Sequence, residues 1–246
     1  MNVIETSGLS KRYRRKWALR DCTLTIPGNH IVALVGPNGA GKTTLLTMAV
    51  GLTRPTAGTL TVLGGEPPGS PGALDHIGFV AQDAPLYRSL PVAAMLRVAR
   101  NLNRRWDQRR ATDRLAQLEI PLRQKVGELS GGQKAQLALT IALARRPALL
   151  VLDEPLAALD PVAREDFLTS VVAAAEDDGI SVVLSSHVLA ELERVATYLI
   201  VLARGQVRVS GTVRELIASH GAGLEEIALR HLRSGVPSSS RTEAGQ

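Results

Sequence analysis

The chain has 246 residues, 45% of them hydrophobic and 21% charged, which is enough for one sizeable domain with its own core. No run approaches the roughly 18 apolar residues that span a bilayer, and a single cysteine, Cys22, excludes an internal disulfide and a thiolate metal cluster. The 29 Lys+Arg against 23 Asp+Glu, with an isoelectric point near 10.0, point to an anionic partner: nucleotide, nucleic acid or lipid headgroups.

The opening MNVIETSGLSKRY has no apolar stretch of signal-peptide length, so a reducing cytosol is expected. Residues 11–20, KRYRRKWALR, carry six cations and no acid. A solvated face with Tyr13 snorkelling at its surface explains them; so does an aromatic platform for adenine. The apolar run HIVALVG then predicts a strand buried on both faces, as in a parallel sheet.

That strand leads into GPNGAGKTT, residues 36–44, and a helix opening at Lys42. Gly36, Gly39 and Gly41 let successive backbone N–H groups curl around phosphate oxygens, and the helix N-terminus adds its positive dipole end. Lys42 reaches β- and γ-phosphates, and the Thr43 hydroxyl is placed to ligate Mg²⁺. This is the most specific pattern of the first half.

After IGFVA comes Gln82, where the chain leaves the α/β core; a surface glutamine or a contact to Mg²⁺ or a lytic water both suit it. Residues 84–146 read as helical, with seven arginines between positions 97 and 114 against Asp107 and Asp113, and are expected to form an inserted helical sub-domain. Within them, LSGGQ (129–133) opens a helix with Ser130, Gly131 and Gly132. It offers a hydroxyl and backbone N–H groups to an anion, without a lysine. Physics alone stops there, at a second anion site.

LLVLDE ends its apolar run on Asp153 and Glu154. Acids are common at strand ends, but ligands of open α/β sheets sit at the carboxyl ends of strands, which suits Asp153 to Mg²⁺ and Glu154 to an attacking water. PVAREDFLTSVVAAAEDDG predicts a helix from Pro161 to just before Gly179. GISVVLSSH predicts a strand ending at His187, and YLIVLARGQVRVSG a hairpin turning at Gly205. The domain is expected over residues 1–230, and the Ser-rich remainder, 231–246, as a disordered tail.

An aromatic, a phosphate loop, a glutamine, LSGGQ, LLVLDE, LAALD and a histidine occur in that order. Over about residues 1–212 the chain resembles the ATP-binding cassette (ABC) family, specifically the ATP-binding subunits of ABC transporters. The resemblance implies a P-loop NTPase core of the α/β class: a mostly parallel sheet with helices on both faces, N-terminal antiparallel strands and the inserted helical sub-domain. It implies ATP and Mg²⁺ as cofactors. Tyr13 would stack on adenine, with Trp17 a rival because Arg14 stands where members often have glycine. Gly36, Pro37, Asn38, Gly39, Ala40, Gly41, Lys42, Thr43 and Thr44 would form Walker A. Thr43, Gln82 and Asp153 would surround the metal, and Glu154, Gln82 and His187 would be catalytic. Ser130, Gly131, Gly132 and Gln133, with Asp160 of the following loop, would contact the nucleotide held by a second subunit.

The implied partners are that second ATPase subunit, paired head to tail, and separate transmembrane permease subunits docking near residues 83–110. The implied location is the inner face of the cell membrane. Long stretches look most like bacterial drug- and antibiotic-export ATPases, with an importer ATPase as runner-up. A soluble ABC ATPase acting on DNA or ribosomes suits the basic charge. Such chains usually carry two cassettes or long insertions, whereas only 46 residues separate Gln82 from Leu129 here, so nucleic acid is not the expected partner.

Overall fold

The computed structural model describes residues 1–233. Strands β1 (Asn2–Tyr13) and β2 (Lys16–Pro27) form an antiparallel hairpin, followed by β3 (Ile31–Val35), α1 (Lys42–Ala49) and β4 (Ala57–Val62). Then come α2 (Pro71–His76), β5 (Ile77–Val80), α3 (Val92–Leu102), α4 (Gln108–Gln117) and α5 (Gly131–Leu143). The chain continues through β6 (Leu149–Asp153), α6 (Pro161–Asp178), β7 (Ser181–Ser186), β8 (Tyr198–Ala203), β9 (Gln206–Thr212), α7 (Val213–His220) and α8 (Leu224–Arg233).

Two sheets result. One has three strands in the order β2-β1-β4, all antiparallel; the other has six in the order β5-β6-β7-β3-β8-β9, parallel except for β9. The central strands are buried on both faces, which is why they read as unbroken apolar runs. Alternate residues serve different cores. Val32, Leu34, Val151 and Val183 face the three-stranded sheet and α1, while Ala33, Val35, Leu152 and Leu184 face α5 and α6. Helix α1 lies between the two sheets, with Leu45, Leu46, Met48 and Ala49 buried.

A third core holds α3 and α4 together through Val92, Leu96, Ala111 and Leu115. Helix α5 belongs to two cores: Leu137 packs with α3 and α4, whereas Leu139, Ala142 and Leu143 pack under the six-stranded sheet. On the same side, Phe167 of α6 is fully buried. Phe167→Ala is expected to lower stability by about 3–5 kcal/mol, the range for truncating a buried aromatic, read as a shift in the urea midpoint at constant m-value.

The predicted strands at β3, β6 and β7, the hairpin turning at Gly205 (φ 74) and the helix ending before Gly179 (φ 63) all form as read. One reading needs revision. His231–Arg233, assigned to the tail, continue α8, because Leu224, Ile227 and Ala228 bury that helix against the main core; the rest of the expected tail, 234–246, lies outside the described residues. The N-terminal antiparallel strands that the family likeness implied are present as β1 and β2. The register of β1 against β2 shifts four times, including at Gly8 between Thr6 and Leu9, and each shift breaks the alternation that marks a strand.

Candidate active site

Because β5, β6, β7 and β3 run parallel, their carboxyl ends share one edge of the sheet. The phosphate loop follows β3, Gln82 follows β5, Glu154 follows β6 and His187 follows β7. They converge on a cleft of about 470 Å³, whose lining includes Tyr13, Asn38, Lys42, Thr43, Gln82, Glu154 and His187.

The loop conformation depends on glycine in two ways. At Gly36 a Cβ would stand 2.1 Å from the Leu202 carbonyl oxygen, a backbone atom that cannot move aside. Gly41, which caps α1, has φ 110 and would place a Cβ 2.6 Å from the Ala18 oxygen. The loop's backbone is thus fitted against β2 and β8 on one side and open on the other.

Lys42 is buried at the loop's centre. Its ammonium donates to the Gly36 carbonyl at 2.7 Å and pairs with Glu154 Oε1 at 3.0 Å, both side chains being less than a tenth exposed. The other carboxylate oxygen, Oε2, lies 2.8 Å from His187 Nδ1. Burial pushes the Glu154 carboxyl up, but the hydrogen bonds and positive charge of His187 and Lys42 outweigh it, and its pKa falls below the ordinary 4.5. Glu154 is therefore ionised at neutral pH.

One residue back, at the end of β6, Asp153 is buried and accepts the Thr43 hydroxyl on Oδ1 at 3.2 Å. The same oxygen accepts Ser185 Oγ at 2.8 Å, and Ser185 in turn accepts the Glu154 N–H at 2.9 Å. Sequence reasoning passed over Ser185; the signal was present in the two serines that end the otherwise apolar run VVLSS.

At the cleft's outer wall the β1–β2 hairpin brings both candidate aromatics. Tyr13 and Trp17 line the cleft, each about half exposed. Lys11 Nζ stands 5.1 Å from the Tyr13 ring centroid, and the Arg12 guanidinium 5.4 Å from that of Trp17. The turn residue Arg14 has φ 52, which explains on steric grounds why glycine is favoured there.

The remaining predicted residues lie elsewhere. Ser130, Gly132, Gln133 and Asp160 line a second cleft, of about 510 Å³, which shares no lining residue with the first. Ser130 caps α5 in a reciprocal box: its Oγ accepts the Gln133 N–H at 3.1 Å, and Gln133 Oε1 accepts the Ser130 N–H at 3.0 Å. Asp160 caps α6 by accepting the Ala163 N–H at 3.0 Å. Lys134 Nζ donates to the Leu129 carbonyl at 2.6 Å and fixes the approach to α5. Gly131 lines a separate groove between Gln82–Arg88 and the loop after β6.

The comparisons agree with this geometry. The family profile described as ABC transporter matches residues 19–157. The chain is 30% identical over 226 residues to the lipopolysaccharide export system ATP-binding protein LptB of Haemophilus influenzae, covering 88% of this chain and 93% of that protein. It is 36% identical to the Nod factor export ATP-binding protein I of Rhizobium johnstonii, over 87% and 71% of the two chains. Identity to the thiamine import ATP-binding protein ThiQ of Shigella flexneri is 32%, over 81% and 88%. Among solved structures, a dimeric post-hydrolysis state of an ATP-binding cassette bound to ADP and Pi superimposes with a TM-score of 0.74 at 26% identity, covering 85% of this chain and 98% of that one. A phosphate loop packed under a strand-end Asp–Glu pair, on a sheet shared with these cassettes, makes this chain a member of the ABC transporter family: an ATP-binding subunit and an ATPase.

Proposed function

We propose that the chain works as a head-to-tail pair in which each ATP is held between Walker A of one copy and LSGGQ of the other. The observation that carries this reading is the division of the site residues between two clefts with no common wall. The first holds a lysine, a carboxylate base and an aromatic wall. The second presents the N-terminus of α5, which favours an anion, and holds no lysine or arginine. The second cleft, lined also by Glu119, Asp160 and Asp166, has no cation of its own, and in the pair Lys42 of the other copy supplies it.

In this reading Tyr13 stacks on adenine, Lys42 grips the terminal phosphates, and Glu154 takes the proton of the attacking water. His187 holds Glu154 through Oε2 and stands at the γ-phosphate position. The donor set suits Mg²⁺. Among the described residues no group of three or more His, Cys, Asp or Glu is placed to hold a metal ion by itself. The Thr43 hydroxyl and Asp153 carboxylate are hard oxygen donors side by side, and Gln82 on the cleft wall adds an amide oxygen. Mg²⁺ is typically held by few protein oxygens together with nucleotide phosphates and water. Once bound, it neutralises charge on the phosphates.

No helix among the described residues is long and apolar enough to cross a membrane. The reading places the membrane path in separate permease subunits and this chain on the cytoplasmic side, supported by its membership of the ABC transporter family as an ATP-binding subunit. Residues 83–110 carry the docking surface, within a helical sub-domain of about residues 84–146. An apolar groove of about 360 Å³ beside Gln82, with Leu86, Val126 and Phe167 in its walls and Arg88 and Lys134 among its charges, supports that assignment. Export of drug- or antibiotic-like compounds is the proposed task, supported by the 36% identity to an export ATPase; the similarity to ThiQ keeps import as the second reading.

Mixing two dead variants tests the shared site. Lys42→Ala and Ser130→Arg are each expected to be inactive alone. Mixed one to one they should recover about a quarter of wild-type ATPase, since half the dimers then carry one intact site under two-fold symmetry. No recovery, with both variants folded, would remove the head-to-tail arrangement.

A further inference from the structure

We propose that Ser185 is a positioning residue for hydrolysis, setting at once the Asp153 carboxylate and the backbone of Glu154. The proposal rests on the roles given above to those two acids. Ser185 stands beside Asp153 in the parallel register of β7 with β6 and is fully buried. Its hydroxyl donates to Asp153 Oδ1 at 2.8 Å and accepts the Glu154 N–H at 2.9 Å. A hydroxyl performs both tasks; no apolar residue of similar size performs either.

Each bond constrains something the chemistry needs. Asp153 Oδ1 is shared by the hydroxyls of Ser185 and Thr43, so the carboxylate is held from the neighbouring strand as well as from the phosphate loop. Glu154 has φ 48, a left-handed conformation that is costly for a residue with a side chain. In that conformation its N–H meets Ser185 while its carboxylate meets Lys42 and His187. The adjacent Ser186 does different work: its Oγ donates to the Val188 carbonyl at 3.1 Å and accepts the Val188 N–H at 3.0 Å, shaping the turn that carries His187. A buried hydroxyl in a strand of Val and Leu is otherwise only a desolvation cost.

The test compares Ser185→Ala and Ser185→Thr with wild type by three measurements: ATPase kinetics, ADP affinity without metal, and Mn²⁺ affinity of the ADP complex by electron paramagnetic resonance. Ser185→Ala should lower kcat and Mn²⁺ affinity each by about 10-fold or more, the scale for groups that orient metal-binding carboxylates. Metal-free ADP affinity should stay within about twofold, since Lys42 and the loop backbone are untouched. KM for the metal–ATP complex should rise along with the lost metal affinity. Ser185→Thr, which keeps the hydroxyl, should return both lost quantities toward wild type. Wild-type kcat and Mn²⁺ affinity in Ser185→Ala would overturn the proposal. So would an equal loss of metal-free ADP binding, which marks a general packing defect. Asp153→Asn is the separate control: if it leaves Mn²⁺ affinity unchanged, the role given to Asp153 fails, whatever Ser185 does.

Discussion

Glu154→Gln is expected to cut ATP turnover about 10²–10⁴-fold, the contribution of a positioned general base, while ATP still binds. Glutamine matches the shape but has no carboxylate to accept a proton. It also removes the charge that pairs with Lys42 at 3.0 Å, so an incoming phosphate meets a lysine with no competing anion. Binding should therefore hold or tighten as kcat falls. Single-turnover hydrolysis beside equilibrium nucleotide titration separates the two, and turnover near wild type would remove Glu154 from its role. The pH profile is a second check. With its pKa below 4.5, Glu154 stays ionised on acidification to that value, so loss of turnover between pH 6 and 8 must come from another group. Its contribution to stability has the same sign: present above the ordinary carboxylate pKa, and lost as pH falls through the lowered one.

Lys42→Ala should show a different signature, weakening nucleotide binding itself. The ammonium would make two or more charge-assisted hydrogen bonds to phosphate, each worth about 1.5–3 kcal/mol, so ATP affinity is expected to fall on the order of 100-fold. The folded protein should suffer as well. Glu154 is only 8% exposed, and removing its cation leaves a buried carboxylate with His187 as its remaining partner. Breaking a buried pair costs about 3–5 kcal/mol, and the surviving histidine contact sets the expectation at the low end. The carboxyl should then titrate at higher pH, because burial is no longer outweighed. Urea unfolding at several pH values would show this, and adding Glu154→Gln to Lys42→Ala should restore part of the lost stability. Undiminished ATP affinity in Lys42→Ala would defeat the phosphate-loop assignment.

Most of the candidate active site was readable because its residues sit at strand ends. An apolar run that stops at GPNGAGKT, at DE or at SSH names both the strand and the group it delivers, and parallel pairing brings those ends together. The residue pattern failed where periodicity was broken or chemistry was tertiary. Bulges hid β1 and β2, whose existence followed only from the family likeness. Ser185 could not be matched to Asp153 before the order of β6 and β7 was known, since they stand 32 positions apart in the chain. Composition left the two arginine-rich runs open, and the structure shows why. Arg110 is spent on Asp178 and Arg114 on Gln136 and Thr140, so a count of charges says little about which remain for a partner.

Helix α5 has a mechanical meaning that its motif does not convey. Thirteen residues at about 1.5 Å each make a rod close to 20 Å long. One face packs beneath the large sheet through Ala138, Leu139, Ala142 and Leu143, and another packs on the outer helices through Leu137 and Ile141. The rod is therefore held along its length by the ATPase core and the outer helices together, and a load on α3 and α4 bears on a body that the large sheet also grips. Ser130 caps the rod's N-terminus, so any displacement of α5 shifts the residue that the proposed pairing sets against a second molecule's phosphate.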